Sequence, residues 1–278
     1  MKRIAFILAV FAALTLVVAS ADAAGIGPSQ APNIKVKNGE STNWAGYAVP
    51  ASPGGVTDVV GTWTVPAVQC GSTSTTTTGT NVRAQVASNG KAGHGKPGSG
   101  SSSSYSSTWV GIDGDNSNTV EQIGTDQDCI NGTPTYYAWY EMYPKFPVNN
   151  ILQVKVGDTI TGEVKYNGSQ FVLSLTDNTT GRSYTTSQRA RAQRSSAEWI
   201  VEAPYSGGVL PLADFGTVGF SGAQANINGS GLEPISSLPG YSSDDAITMV
   251  SSDGITIKAK PSKLASGGTA FDVTWYHQ

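Results

Sequence analysis

An antiparallel all-β fold, either a sandwich or a barrel, is what this sequence predicts, and three observations predict it. Short runs rich in Val, Ile, Thr, Tyr and Trp recur along most of the chain. Turn-forming Gly, Pro, Asn and Asp separate these runs, and no stretch sustains the 3.6-residue period of an amphipathic helix. Strands that follow one another without alternating helices close into antiparallel sheets.

The elements follow in chain order. Lys2 and Arg3 precede an uncharged apolar run from Ile4 to Val18, and Ala21-Asp22-Ala23 is a small-residue pattern that a signal peptidase cuts. The run is about 15 residues, short of the roughly 20 that span a bilayer. Residues 1–23 are therefore expected to be a signal peptide, with an uncleaved anchor as the alternative. The mature chain is expected to be secreted (or periplasmic) and free of the membrane. Residues 24–42 read as a loose N-terminal arm, and residues 43–278 as the β domain.

Within that domain Val59–Val65 is the first strand of the pattern. Residues 71–107 are dominated by Gly, Ser and Thr, including Thr75–Thr78 and Ser99–Ser104, the composition of a flexible insertion. Strands are then expected at Ser107–Ile112, Tyr136–Tyr143, Thr159–Tyr166, Phe171–Thr176, Glu198–Val201, Val218–Phe220, Ile255–Ala259 and Ala270–Tyr276. Asn167-Gly168 and Asp253-Gly254 sit where hairpin turns belong. Gln188–Arg194, with three arginines, reads as a solvated turn. Trp44, Trp63, Trp199 and Trp275 are expected in packing, and Asp115 and Asp128 in turns.

Charge narrows the partners. Removing Lys2, Arg3 and Asp22 from 17 basic and 20 acidic residues leaves 15 and 19, a net charge of −4. Nucleic acid binding, which needs a basic face, is disfavoured. Charged residues make up 13% of the chain, against about 25% in an average domain. A surface of neutral polar residues gains little repulsion when carboxylates protonate, so it is compatible with acid. Two cysteines, Cys70 and Cys129, are expected to form one disulfide in an exported chain.

Several chemistries are closed. The two histidines, His94 and His277, lie in the Gly/Ser segment and next to the C-terminus, neither a rigid seat for a nucleophile's base. No ligand set has the spacing of a zinc site, and no phosphate-binding glycine motif is present. Carboxylates and amides are left to carry any reaction.

Strand alternation sorts those residues onto faces. Trp109 and Asp113 share a face, opposite Val110 and Ile112. Trp139, Glu141 and Tyr143 share one, opposite Ala138, Tyr140 and Met142. Glu198, Ile200 and Glu202 lie opposite Ala197, Trp199 and Val201. Val120 and Gln122 share a face, while Glu121 falls among the apolar positions. A half-exposed sheet alternates in the same way. Large aromatics beside acids point beyond that, to a groove for an extended ligand.

At these residues the chain resembles the glutamic peptidases, or eqolisins, of the prokaryotic type. The matching pieces are Asn43-Trp44-Ala45-Gly46, Thr108 to Asp115, Gln122 to Asp126, Ala138 to Pro144 and Ala197 to Glu202, in the family's order. The resemblance implies a monomeric sandwich of two large antiparallel sheets, jelly-roll or concanavalin-like, with the active site on the concave sheet. It implies a secreted acid endopeptidase acting on polypeptides without metal or organic cofactor. Glu202 and Gln122 take the places of the catalytic pair, and are expected to meet across adjacent strands. Trp109, Asp113, Asp126, Trp139, Glu141, Tyr143 and Glu198 take places that line the cleft or support the pair.

Two other readings stand beside this one. A glycoside hydrolase needs paired acids about 5–9.5 Å apart. Glu198 and Glu202, four residues apart on one strand, are roughly 13 Å apart and too distant, whereas Glu141 with Glu202 stays open. A non-catalytic sandwich that binds sugar or peptide through Trp109, Trp139 and Tyr143 needs no pair at all.

Overall fold

The computed structural model describes residues 28–70 and 103–278. The expected signal peptide and nearly all of the 71–107 insertion lie outside the described residues. Thirteen strands of five or more residues are formed among the described ones. They are β1 (Trp44–Pro50), β2 (Val56–Thr64), β3 (Ser107–Ile112), β4 (Val120–Ile130), β5 (Thr133–Tyr143), β6 (Thr159–Tyr166) and β7 (Phe171–Asp177). The remainder are β8 (Arg182–Gln188), β9 (Ser196–Glu202), β10 (Thr217–Ile227), β11 (Ala246–Val250), β12 (Ile257–Pro261) and β13 (Phe271–Trp275). Among the described residues, helix is confined to three single 3₁₀ turns.

These strands make two antiparallel sheets. The first runs β11–β1–β9–β3–β4–β5. The second runs β12–β13–β10–β2–β6–β7–β8. Because β11 also pairs with β12, the sheets are joined along one edge. Between them lies one apolar core, in which Val110, Ile123, Trp199 and Val201 of the first sheet meet Val59, Trp63, Ile160 and Leu173 of the second. Burying each such side chain stabilises the fold by about 1.5–3 kcal/mol. The indole N–H groups of the two core tryptophans are satisfied: Trp63 donates to the Thr125 hydroxyl at 2.9 Å and Trp199 to the Val60 carbonyl at 2.8 Å. The sandwich expected from the sequence is the one observed.

Two local devices fix the strands that matter for function. Asn131 and Gly132, with φ of 51° and 80°, turn β4 into β5, so Ile130 pairs with Thr133. An Asn-Gly pair adopts positive φ at low cost and matches the strand twist. The 11-residue strands that follow keep register, which brings Gln122 opposite Glu141. Cys70 and Cys129 are disulfide-bonded, as expected, and tie the chain ahead of β3 to the end of β4.

The outer face of the first sheet carries a second apolar group, including Trp44, Trp109, Val120, Trp139 and Ile200, with Tyr143 packed against it. This is the aromatic face that alternation predicted. Residues from 28 onward do not hang loose. Lys35–Lys37 and Glu40–Ser41 form a short hairpin. Ahead of it, residues 29–34 lie across the outer face of the first sheet.

Candidate active site

Glu202 ends β9 and Gln122 stands near the start of β4. They are not on adjacent strands: β3 lies between, pairing through Ser107–Ile112 with both neighbours. Two strand spacings put their backbones roughly 10 Å apart across the sheet, and the register offsets them further along it. Both side chains nevertheless reach one peptide group. The Gln122 amide Nε2 donates to the carbonyl oxygen of Gln30 at 2.8 Å. The Glu202 Oε1 accepts the amide N–H of Ala31 at 2.8 Å. The Gln30–Ala31 peptide is thus gripped at its C=O by one predicted residue and at its N–H by the other.

Packing explains how these side chains are held. Trp109, from β3, donates its indole N–H to Glu202 Oε2 at 3.0 Å, and Asn43 donates its amide to Oε1 at 3.2 Å. Trp109 packs against two glycines, its ring against Gly111 and its Cβ against Gly124. A Cβ on Gly111 would come within 2.9 Å of the ring and 3.2 Å of the Gln122 Cβ. A Cβ on Gly124 would come within 2.6 Å of the Trp109 Cβ. A side chain at 111 displaces the indole and crowds Gln122, and one at 124 runs into the Thr108 carbonyl oxygen and the Trp109 Cβ. Trp44 meets Trp109 edge-on at 5.0 Å between centroids and donates its N–H to the Ala31 carbonyl at 2.9 Å. Packing was the role expected for Trp44; it also faces the peptide.

Glu141 lies beside Gln122. Its Oε2 accepts the Gln30 backbone N–H at 2.8 Å and the Gln122 amide at 3.3 Å. Burial pushes its carboxyl up to about 8. Glu202 is fully buried; burial raises it well above the usual carboxylate range, and the nearby Glu141 pushes the same way. The hydrogen bonds from Asn43, the Ala31 backbone and Trp109 oppose the rise without cancelling it.

Behind these sits a relay. The Gln30 side-chain amide donates to the Ser107 hydroxyl at 2.8 Å, and Ser107 donates to Asp126 Oδ1 at 2.5 Å. Tyr137 donates to Asp126 at 2.7 Å and to Asp128 at 3.2 Å. Burial lifts Asp126 to about 6, and raises Asp128 as well. Asp128 belongs to this buried strand network and not to a turn, because the long β4–β5 ladder carries it inward.

Other predicted site residues lie elsewhere. Asp113, at φ 74°, accepts from the backbone N–H groups of Arg194 and Ser195 at 2.7 and 2.8 Å. It fixes the entry to β9 instead of facing the Gln30–Ala31 peptide. Glu198 is fully buried, raised well above its ordinary value, and has Asp113, Asp115 and Glu121 as its charged neighbours. Trp139 and Tyr143 belong to the aromatic lining of the outer face. Asn43, Ser107 and Tyr137 were not singled out from the sequence. Asn43 was legible as the start of the Asn-Trp-Ala-Gly piece. The Ser107–Asp126 contact follows only from the β3–β4 register, which pairs those residues directly.

Arranged this way, the face can hold an extended peptide, donate to its carbonyl, and place a carboxyl on its nitrogen. Comparison with known proteins identifies the family and the fold. Residues 42–257 match the model of the Peptidase A4 family. Aspergillopepsin-2 of Aspergillus niger is 34% identical over 232 residues, covering 78% of this chain and 77% of that protein. The fold resembles scytalido-glutamic peptidase, solved with a transition state analog inhibitor, at a TM-score of 0.62 and 22% identity; 84% of this chain and 98% of that one are covered. Aspergilloglutamic peptidase from Aspergillus niger aligns at a TM-score of 0.51 and 30% identity over 62% of this chain and 99% of its own. The chain belongs to the Peptidase A4 family, the eqolisins, and is a glutamic endopeptidase.

Proposed function

We propose that the chain is an exported, monomeric acid endopeptidase in which Glu202 and Gln122 carry out hydrolysis. The observation that supports this most is that these two side chains bind opposite ends of one peptide group. A water over the carbonyl carbon gives its proton to Glu202 as its oxygen attacks. Glu202 then passes that proton to the leaving nitrogen, the atom it already faces. The Gln122 amide donates to the oxygen on which charge develops. A preorganised donor of this kind is worth roughly 3–4 kcal/mol.

Trp109 and Asn43 hold the carboxyl of Glu202 in place, so it transfers a proton without first reorienting. Glu141, with its carboxyl held up at about 8, is neutral below that pH, so its charge then no longer adds to the burial that holds the Glu202 carboxyl up. Export is supported by the signal-like sequence of residues 1–23 and by the Cys70–Cys129 disulfide, which persists in oxidising compartments.

The test is digestion of a denatured protein at about pH 3–4, near where an ordinary carboxyl titrates, by the wild-type chain and by Glu202→Gln. The variant keeps the size of the side chain but cannot shuttle a proton, and it offers one acceptor oxygen where the carboxylate offers two. Cleavage is expected from the wild type alone. A Glu202→Gln chain that is folded and equally active would overturn the proposal.

A further inference from the structure

The arginine-rich stretch between β8 and β9 reads in the sequence as a solvated turn, but its second half has a fixed shape. Gly54, Val56 and Ala51 donate their backbone N–H groups to the carbonyls of Gln193, Arg194 and Ser195, at 2.7, 3.0 and 2.7 Å. Asp113 accepts the N–H groups of Arg194 and Ser195. Arg194 is thereby held at φ 53°, a left-handed conformation that a non-glycine residue keeps only where its surroundings impose it. Its guanidinium lies over the Tyr166 ring, 4.2 Å from the centroid. It also lies beside Gly54, where a Cβ would come within 3.3 Å of Nη2. Tyr166 is fixed in turn. Its hydroxyl donates to the Gly168 carbonyl at 3.0 Å, and its ring packs at 5.1 Å against Phe171, its partner across the β6–β7 hairpin. These two rings and residues 190–194 line a pocket of about 410 Å³.

Charge in this pocket is unbalanced. Arg191 and Arg194 line it, and Arg189 stands on the same stretch. Among the described residues, none of the three guanidinium groups pairs with a carboxylate. One N–H of Arg194 reaches the Val56 carbonyl at 3.4 Å, a long bond that leaves its other donors for a ligand. We propose that the pocket binds a tetrahedral oxyanion, phosphate or sulfate, either free or as an ester on a larger molecule. A planar guanidinium fork matches two oxygens of such a group. Because Arg194 is already held by Tyr166 and by its own backbone, little side-chain freedom is lost when the anion arrives. Acid decides against a carboxylate as the ligand. An ordinary carboxyl titrates at about 4 and loses its charge there. A phosphate, whose second proton leaves at about 6, keeps one negative charge, and a guanidinium stays charged throughout. Ala190, Ala192 and Phe171 leave an apolar wall for whatever carries the ester. None of the lining residues joins the hydrogen bonds around the Gln30–Ala31 peptide, so the inference does not rest on the roles of Glu202 and Gln122.

Isothermal titration calorimetry of the full chain at about pH 4, with sodium chloride holding the ionic strength constant, tests this. The titrants are inorganic phosphate, inorganic sulfate and a polyphosphate chain. The wild type should bind phosphate and sulfate at one site. Arg191→Gln, at an exposed position, should bind them about ten-fold more weakly. Arg194→Lys keeps the charge but loses the fork, and should weaken binding by about as much. Tm measured alongside shows that each variant is folded, and Arg191→Gln decides alone if Arg194→Lys is not. Polyphosphate that binds more tightly than phosphate supports the site with a polymer as its ligand; equal binding supports it with the free ion. A wild-type chain that binds neither phosphate nor sulfate in preference to chloride overturns the inference. Binding of wild-type strength in Arg191→Gln, or in a folded Arg194→Lys, overturns it as well. Digestion of a denatured protein is a separate readout, so failure here leaves the proposed function standing.

Discussion

Replacing Trp109 with Phe isolates one hydrogen bond on Glu202. The indole N–H lies 3.0 Å from Oε2, is fully buried, and is the bond that this oxygen receives. A buried hydrogen bond to a charged group contributes about 1.5–3 kcal/mol. The bond stabilises the ionised carboxylate, so its loss raises the pKa of Glu202 by about 1–2 units at 1.36 kcal/mol per unit. Activity that needs ionised Glu202 should then fall away at higher pH, with the acid limb of kcat/KM displaced upward by that amount. Truncating the ring also leaves a cavity, and Trp44→Phe controls for it. Trp44 packs edge-on against Trp109 but donates to the Ala31 carbonyl, not to Glu202. Profiles of kcat/KM against pH on a peptide substrate, with Tm measured alongside, distinguish the two. An acid limb that stays put in Trp109→Phe, or one that moves equally in Trp44→Phe, would refute the reasoning.

Further predictions concern stability and packing. Glu121 is buried with both carboxyl oxygens unpaired, and burial together with the nearby Asp113 raises it from 4.5 to about 9. It holds its proton more tightly when folded, so its contribution is complete below about pH 4.5 and is lost as pH climbs towards 9. Unfolding free energy from denaturant melts should fall with pH across that window. Glu121→Gln should flatten the slope by up to about 1.4 kcal/mol per pH unit. Gly111→Ala should lower kcat with a stability loss of about 1–3 kcal/mol, because its methyl meets Trp109 and Gln122; kinetics and Tm together check this. Reducing Cys70–Cys129, which closes a loop of 59 residues, should cost roughly 2–4 kcal/mol, read as a lower Tm in reductant.

Much of this architecture was legible before any coordinates. Period-two patterning found most of the long strands, and it placed Trp109, Trp139, Ile200, Gln122 and Glu202 on the outer face because a strand offers only two sides. Patterning within a strand carries no information on which strands are neighbours. That is why Glu202 and Gln122 were expected side by side, although β3 separates them. Asp113 shows a second limit. Alternation assigns it to the face of Trp109, but positive φ at the strand end turns its carboxylate towards the Arg194–Ser195 backbone. The arm was the largest omission. Ser29 to Asn33 has no apolar period, and its order comes from hydrogen bonds to residues as much as 171 positions away. Glu121, which interrupted an otherwise regular pattern, proves to be an acid buried without partners.

The turnover number of Gln122→Met on a peptide substrate in acid bears most directly on the proposed pair. The thioether matches the amide in length but has no N–H to give the developing oxyanion. The account predicts kcat lower by about 100- to 1000-fold, with Tm nearly unchanged and Glu202 still held by Trp109 and Asn43. A folded Gln122→Met chain turning over at close to the wild-type rate would contradict it.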